Sequence, residues 1–295
     1  MELSHLRYFL RAAELLHFTH AAESLYISQP SLSIYMQQLE DEVGAALFAR
    51  VGRNVRLTEA GKLLLVHSRK IIHEFENAQQ GIDDLKGLLR GTLRFGSLLA
   101  FSLEMVPIWL STFNKMHPQV HVICRTGPHS SLEELLLKGD VELVLAFLPI
   151  ESTEIEYHEL FTEEVVLVVP EDHELSRRQL VKLADLENIP LSLPSQQQNT
   201  RRLLDDLFIE YGVTPKIIAE VDDLHALLTM VKMGNAVSVL SRMAVGDARG
   251  VKCISFVGGP EHRLTAIAMW DKRTTLTPAA KAFLEVVKTH CQPDD

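Results

Sequence analysis

Residues 18 to 58, FTHAAESLYISQPSLSIYMQQLEDEVGAALFARVGRNVRLT, constrain the fold more than any other stretch, because they pattern as two short helices followed by an arginine-bearing turn. A brief apolar-periodic run follows Thr19 through Ala21, Ala22 and Leu25 and breaks at Tyr26-Ile27-Ser28. Ser28 is placed to cap a second helix, with Pro30 in its first turn, where a missing N–H costs nothing. Leu32, Met36, Leu39 and Val43 then recur at i, i+4, i+7 and i+11, so one helical face can be buried. The opposite side keeps Gln29, Ser31, Ser33, Ile34, Tyr35, Gln37 and Gln38. Amides and hydroxyls suit base edges and phosphates, and an apolar group suits a thymine methyl. Arg50, Arg53 and Arg56 flank Gly52, and no Asp or Glu lies between Gly44 and Thr58, which suits phosphate contact or minor-groove insertion. The expectation is a winged helix-turn-helix that addresses double-stranded DNA; a generic helical pair would explain the periodicity but not the cap and wing chemistry.

The matching residues Leu6, Phe9, Phe18, Thr19, Ala21, Ala22, Leu25, Ser28 to Ser31, Ser33, Leu39-Glu40, Gly44, Leu47-Phe48, Arg50, Leu57-Thr58 and Ala60-Gly61 resemble the LysR-type bacterial transcriptional regulators. The resemblance extends in architecture over the whole length. It implies DNA contacts at Gln29, Pro30, Ser31, Ser33, Gln37 and Arg53, and Thr19 and Arg50 join them as candidates. One departure is that relatives often carry a basic residue just after the Ser33 position, where this chain has Ile34 and Tyr35. More of the electrostatic work then falls to the wing.

The 295-residue chain has a formal net charge of -10, which looks wrong for a DNA binder until it is divided. Residues 1 to 91 hold 10 Lys and Arg against 11 Asp and Glu, leaving 19 against 28 beyond. The acidity therefore belongs to the C-terminal part, where it resists indiscriminate nucleic-acid binding. DNA affinity must come from a local basic patch and from more than one copy of the domain. Cys124, Cys253 and Cys291 show no metal-ligand spacing, so neither zinc nor a disulfide framework is expected, and no cofactor motif is present. The first residues run directly into Leu6, Phe9 and Leu10 without a signal-peptide pattern, and no apolar run approaches membrane-spanning length. The expected location is cytoplasmic.

From Thr58 to about Leu89 there is no proline. Leu64, Ser68, Ile71, Phe75, Ala78, Ile82, Leu85 and Leu89 alternate spacings of four and three, the period of a coiled-coil seam. At ~1.5 Å per residue such a helix spans roughly 45 Å, which favours pairing with a second chain over packing on its own domain. Beyond Gly91, eight candidate strands (93–98, 120–125, 143–148, 165–169, 191–193, 217–221, 237–240 and 264–270) alternate with helices near 103–115, 131–138, 201–211, 223–233 and 278–290. That pattern predicts an α/β fold with mainly parallel sheets.

The domains expected are a winged helix-turn-helix over 1–58, a linker and dimerisation helix over 59–90, and an effector-binding domain over 91–295. The resemblance implies that the last consists of two α/β subdomains of periplasmic-binding-protein type, about 91–162 with 266–295, and about 163–265. Ligands of such sheets sit beyond the carboxyl ends of strands, where helix starts present free N–H groups. Small polar residues gather at those ends, at Ser97 to Ser102, His129 to Ser131, and Ser195 with Asn199-Thr200. Candidate effector residues are Ser97, Ala100, Phe101, His129, Ser130, Phe147, Pro194, Ser195, Thr200 and Asp222, of which Ala100, Phe101, His129, Phe147, Pro194, Ser195 and Asp222 match the family's ligand loops. The hydroxyls together suit a small anion or carboxylate, although each one alone suits N-capping better than ligand contact.

His129 has no companion nucleophile and acid, so a catalytic role is not expected and the chain does not read as an enzyme. The function implied is a ligand-responsive transcription factor, assembled as a homotetramer built from two dimers, on a partly symmetric operator, with RNA polymerase as a further candidate partner. The alternatives are a solute-binding module and a cytosolic α/β enzyme with accessory DNA binding. The stretches 145–149 and 279–284 look similar to the cyanate-responsive branch of the family.

Overall fold

The computed structural model describes residues 2–51, 54–84, 89–258 and 262–291. Two compact units emerge, Met1–Leu88 with Lys138–Asp140, and Leu89–Leu137 with Val141–Asp295.

The first unit opens with helices α1 (Leu3–Leu15), α2 (Phe18–Ser24) and α3 (Gln29–Val43). A hairpin of β1 (Phe48–Val51) and β2 (Asn54–Leu57) and a long helix, α4 (Glu59–Asp84), follow. Leu6, Phe9, Ala21, Ala22, Leu32, Met36 and Leu39 form the core, as helical spacing requires. Val43 does not join them; it is the last residue before Gly44, whose left-handed φ of 73° ends the helix, and its side chain is exposed. The wing is fastened by Glu40, whose Oε1 accepts from the N–H groups of Leu47 (2.6 Å) and Phe48 (3.2 Å). Thr58 caps α4 by accepting from Gly61 N–H at 3.0 Å while donating to the carbonyl of Ala46 at 2.6 Å.

The expected seam of α4 is divided in the structure. Leu64, with Leu65 and Ile72, packs onto the winged core, whereas Ile71, Phe75, Ala78 and Ile82 are exposed. Leu89 leaves the helix and packs on the core of the second unit, and Leu85 lies outside the described residues. A helix next to a small domain buries one stripe locally before the rest of its length is free for another partner.

The second unit runs β3 (Gly91–Ser97), α5 (Leu99–Met116), β4 (Val120–Thr126), α6 (His129–Leu137), β5 (Leu143–Phe147) and β6 (Ile155–Pro170). It continues with β7 (Leu180–Val181), β8 (Pro190–Leu193), α7 (Asn199–Glu210), β9 (Lys216–Glu220), α8 (Leu224–Lys232) and β10 (Ser238–Ser241). It closes with α9 (Arg242–Val245), β11 (Val251–Phe256), β12 (Arg263–Asp271) and α10 (Pro278–Cys291).

Strand β3 lies parallel to β4 and β5, β8 is parallel to β9, and β7 is parallel to β11. The expectation of mainly parallel sheets needs correction, because β6 and β12 run antiparallel to each other and to the strands they pair with, β5, β10 and β11. These two strands carry the chain between halves, and Thr162 stands opposite Thr265 where they do so. Before that point β6 pairs with β12 alone; after it, Val165 to Pro170 pair with β10 and β11. Both faces of the later segment are covered. Val165, Leu167 and Val169 enter the main core, and Val166 and Val168 enter a second cluster with Leu224, Leu227 and Leu228 of α8. A strand buried on both sides reads as a continuous apolar run, which is why it was legible.

The earlier half of β6, with Glu156, His158 and Glu159 exposed, gave no strand signal, nor were β7, β11 and α9 expected. Helix α5 also starts at Leu99, not near 103, and continues through Pro107.

Candidate nucleic-acid interface and effector cleft

Ser28 accepts from Ser31 N–H at 3.2 Å and so caps α3, with Pro30 in the first turn. Within α3, Gln29 donates from Nε2 to Ser33 Oγ at 2.8 Å, and Gln37 donates to Asp41 at 3.0 Å. Gln29, Pro30 and Gln37 are exposed; Ser31 and Ser33 are partly so. This surface is backed by the buried Leu32, Met36 and Leu39, so the helix offers a polar ridge on a fixed base. Thr19 is exposed in the first turn of α2, whose cap is His17, accepting from His20 N–H at 3.3 Å. Tyr35 is not free, because its ring packs between His5 and Tyr8 at 5.3 and 5.1 Å. Arg56 is exposed on β2, the backbone of Arg50 lies in β1, and Arg53 falls outside the described residues.

In the second unit a small open cavity lies at the ends of β8, β9 and β10. Its lining brings together Ala100, Pro194, Thr200 and Asp222 from the expected set, with Leu99, Gln198, Leu224, Leu227, Leu240, Ser241 and Ala244 added. Helices α5 and α7 start at this cavity, and neither start carries a side-chain cap, so their first N–H groups remain available. Asp222 is its single formally charged lining residue, and its Oδ1 accepts from Ser195 N–H at 3.3 Å. Ser195 thus stands beside the lining and positions Asp222; its Oγ is buried without a partner.

The other expected residues lie elsewhere. Phe101 is fully buried against Phe147 at 4.8 Å and Trp109 at 6.3 Å, so both phenyl rings serve the core. Ser97 is buried and donates to the Leu98 carbonyl at 3.1 Å. Ser130 is exposed on α6. His129 is buried and its Nε2 lies 2.8 Å from Glu133 Oε1, which also accepts from Glu151 N–H at 2.9 Å. That arrangement ties α6 to the segment after β5.

Sequence reasoning missed Arg201 and Asn199 as supports. Buried Arg201 donates to the Pro194 carbonyl at 3.0 Å, to Glu220 at 2.9 Å and to Asp205 at 2.8 Å, fixing the β8 to α7 turn against β9. Burial works against its charge, but the hydrogen bonds and charges of Asp205 and Glu220 outweigh it and raise its pKa. Asn199 donates to the carbonyls of Phe147 (3.1 Å) and Leu148 (3.3 Å). The apolar lining from α8 and α9 was missed because Leu and Ala at helical spacing read as core. Asp223 and Ser241, the caps of those helices, were the available signal.

Burial pushes the thiols of Cys124 and Cys291 up to about 11 and also raises that of Cys253, where Arg242 opposes and Glu164 adds. All three are free thiols. Among the described residues no helix is long and apolar enough to cross a membrane.

Residues 3–62 match the model of the bacterial regulatory helix-turn-helix protein, lysR family, and residues 86–292 match the LysR substrate binding domain. The transcriptional dual regulator GltC of Bacillus subtilis is 31% identical over 289 residues, 97% of this chain and 96% of its own length. An uncharacterized HTH-type transcriptional regulator of Escherichia coli, YnfL, is 33% identical over 293 residues, 96% of each chain. Full-length OxyR of Pseudomonas aeruginosa superposes with a TM-score of 0.79 at 24% identity, covering 98% of this chain and 94% of its own. CbnR complexed with its target DNA gives 0.70 at 24% identity, covering 98% and 99%. These relatives are transcriptional regulators, not enzymes. The chain belongs to the LysR family and is a DNA-binding transcriptional regulator with a C-terminal effector-binding domain.

Proposed function

We propose that the effector is a small carboxylate or inorganic anion bound in the cavity at Ala100, Pro194, Thr200 and Asp222. The observation that carries this reading is the pair of uncapped helix starts, α5 and α7, at one cavity. Their N–H groups favour negative charge without any lining Lys or Arg. A hydroxyl or amine on the same ligand would meet Asp222. The effector-binding domain of QuiR, which covers 68% of this chain at 24% identity with a TM-score of 0.63, was solved with shikimate, a property of that protein that is consistent with a carboxylate here.

On the DNA side, Thr19, Gln29, Pro30, Ser31, Ser33, Gln37, Arg50 and Arg53 are the proposed contacts. The exposed Ile71, Phe75 and Ile82 on α4 support pairing of chains. The proposed assembly is a homotetramer of paired dimers in the cytoplasm, on a partly symmetric operator. Effector binding shifts the packing of effector domains and with it the spacing of DNA-binding pairs, which requires the ligand to favour one arrangement. RNA polymerase is the proposed partner for activation.

A thermal-shift screen of the full chain with small carboxylates and inorganic anions tests the cavity. A ligand at about 100 times its Kd adds about 2.7 kcal/mol, and Asp222→Ala together with Ala100→Trp should abolish that gain. A ligand whose stabilisation survives both changes sits elsewhere. On DNA, Arg53→Ala should weaken binding broadly and reduce its salt slope, and Gln29→Ala should chiefly relax base preference.

A further inference from the structure

Apart from Val43 at its last position, helix α3 carries one large apolar side chain that neither its own domain nor the polar ridge accounts for. Ile34 is 58% exposed. At about 100° per residue it stands opposite the buried stripe of Leu32, Met36 and Leu39, so it is the outermost apolar group of the helix. Beside it, Gln29 bonds Ser33 and Gln37 bonds Asp41 within the helix. The other apolar side chain on the free side, Tyr35, is occupied by His5 and Tyr8.

An isolated exposed aliphatic residue is common on protein surfaces and signifies nothing alone. Here it is β-branched, which an exposed helical position disfavours, and it is centred on the face that the winged domain presents. In the major groove the base-edge feature an aliphatic side chain recognises is the C5-methyl of thymine. We propose that Ile34 is a specificity-determining residue that packs on a thymine methyl of the operator. The helix then reads an A·T pair by burial where a cationic side chain would read guanine. This inference rests on the reading that α3 enters the major groove.

Duplexes selected by the full-length protein from a random library supply the probe. Each thymine in the selected site is replaced in turn by deoxyuridine, which deletes the methyl and keeps base pairing. One position per half-site should weaken the wild-type protein by about threefold to tenfold. Ile34→Ala should lose a similar factor on the unmodified duplex and become insensitive to deoxyuridine there, and Ile34→Val should remain sensitive. Because the site is exposed and alanine is the better helix former, both variants should match the wild-type Tm.

The proposal is overturned if no thymine distinguishes wild type from Ile34→Ala, or if that variant weakens selected and random duplexes equally. A change in oligomeric state with unchanged deoxyuridine sensitivity would assign Ile34 to a protein contact and also overturn it. If wild type selects a site but Ile34→Ala retains full methyl sensitivity, groove entry by α3 stands and only the role of Ile34 falls. Failure to select any duplex would remove both.

Discussion

Gly61 approaches the carbonyl of Leu47 so closely that a Cβ built on it would lie 2.2 Å from that oxygen and 2.9 Å from a methyl of Leu57. The wing therefore closes onto the start of α4 through a position where only hydrogen fits, and Thr58 and Glu40 fasten the same junction.

Gly61→Ala should accordingly destabilise the winged unit by several kcal/mol despite the better helix propensity of alanine, because the obstacle is backbone and cannot rotate away. Chemical denaturation monitored in the N-terminal unit would check this, with partial loss of DNA binding before unfolding. Wild-type stability in the variant would show that the wing is free to move off α4.

Tyr26 has a left-handed φ of 57° and is 97% exposed in the turn between α2 and α3. The Ile27 N–H reaches back to the Ala22 carbonyl at 3.1 Å, so Tyr26 occupies the turn position that glycine fills most readily. Tyr26→Gly removes a strain of about 1–2 kcal/mol and almost no packing, offset in part by the entropy of glycine. The Tm should rise or stay level; a fall of several degrees would mean that the ring is supporting the turn.

Asn199 is buried at the start of α7 and joins it to the end of β5 and the residue after it. Asn199→Ala should cost about 1–3 kcal/mol, since two carbonyls lose a buried donor. Asn199→Asp should be worse, because it turns a carboxylate toward those oxygens. Urea titration of both variants gives the ranking, and equal stability of alanine, aspartate and wild type would show that water serves these carbonyls equally well.

Glu163 lies next to the passage of β6 between halves of the second unit, accepting from Met243 N–H at 2.6 Å. Burial pushes its carboxyl above the ordinary value of 4.5; the Met243 bond and Arg242 oppose this, and Glu104 and Glu164 add to it. A raised folded-state pKa means the folded chain holds this proton more tightly than the unfolded chain does. The associated stability is complete below pH 4.5 and is lost as pH rises through the raised value. Glu163→Gln retains an acceptor for Met243, so its stability relative to wild type should grow across that window and then level off. Parallel curves from denaturation at stepped pH would refute the assignment.

Local pattern was sufficient for much of this. Leu32, Met36 and Leu39 had to share a helical face, Ser28 and Pro30 had to start that helix, and the doubly buried run at Val165 to Val169 had to be a central strand. These signals depend on spacing within one element, which the chain states directly. Of the expected effector residues, those that line the cavity, Ala100, Pro194, Thr200 and Asp222, sit where a helix start follows a strand. Phe101, Phe147 and His129 carry suitable chemistry, yet packing turned their side chains toward Trp109, toward each other's strand and helix, and toward Glu133.

The helix pair around Tyr26 to Ser28, the Ser28 cap, eight strands of the second unit and the family follow from sequence alone. Tertiary structure decided the antiparallel passage of β6 and β12, the division of the α4 face between its own domain and solvent, the close approach at Gly61, and which polar side chains reach the cavity. Each of these is a pairing between segments far apart in the chain, and such pairings are set by the geometry of what lies opposite, which no local periodicity encodes.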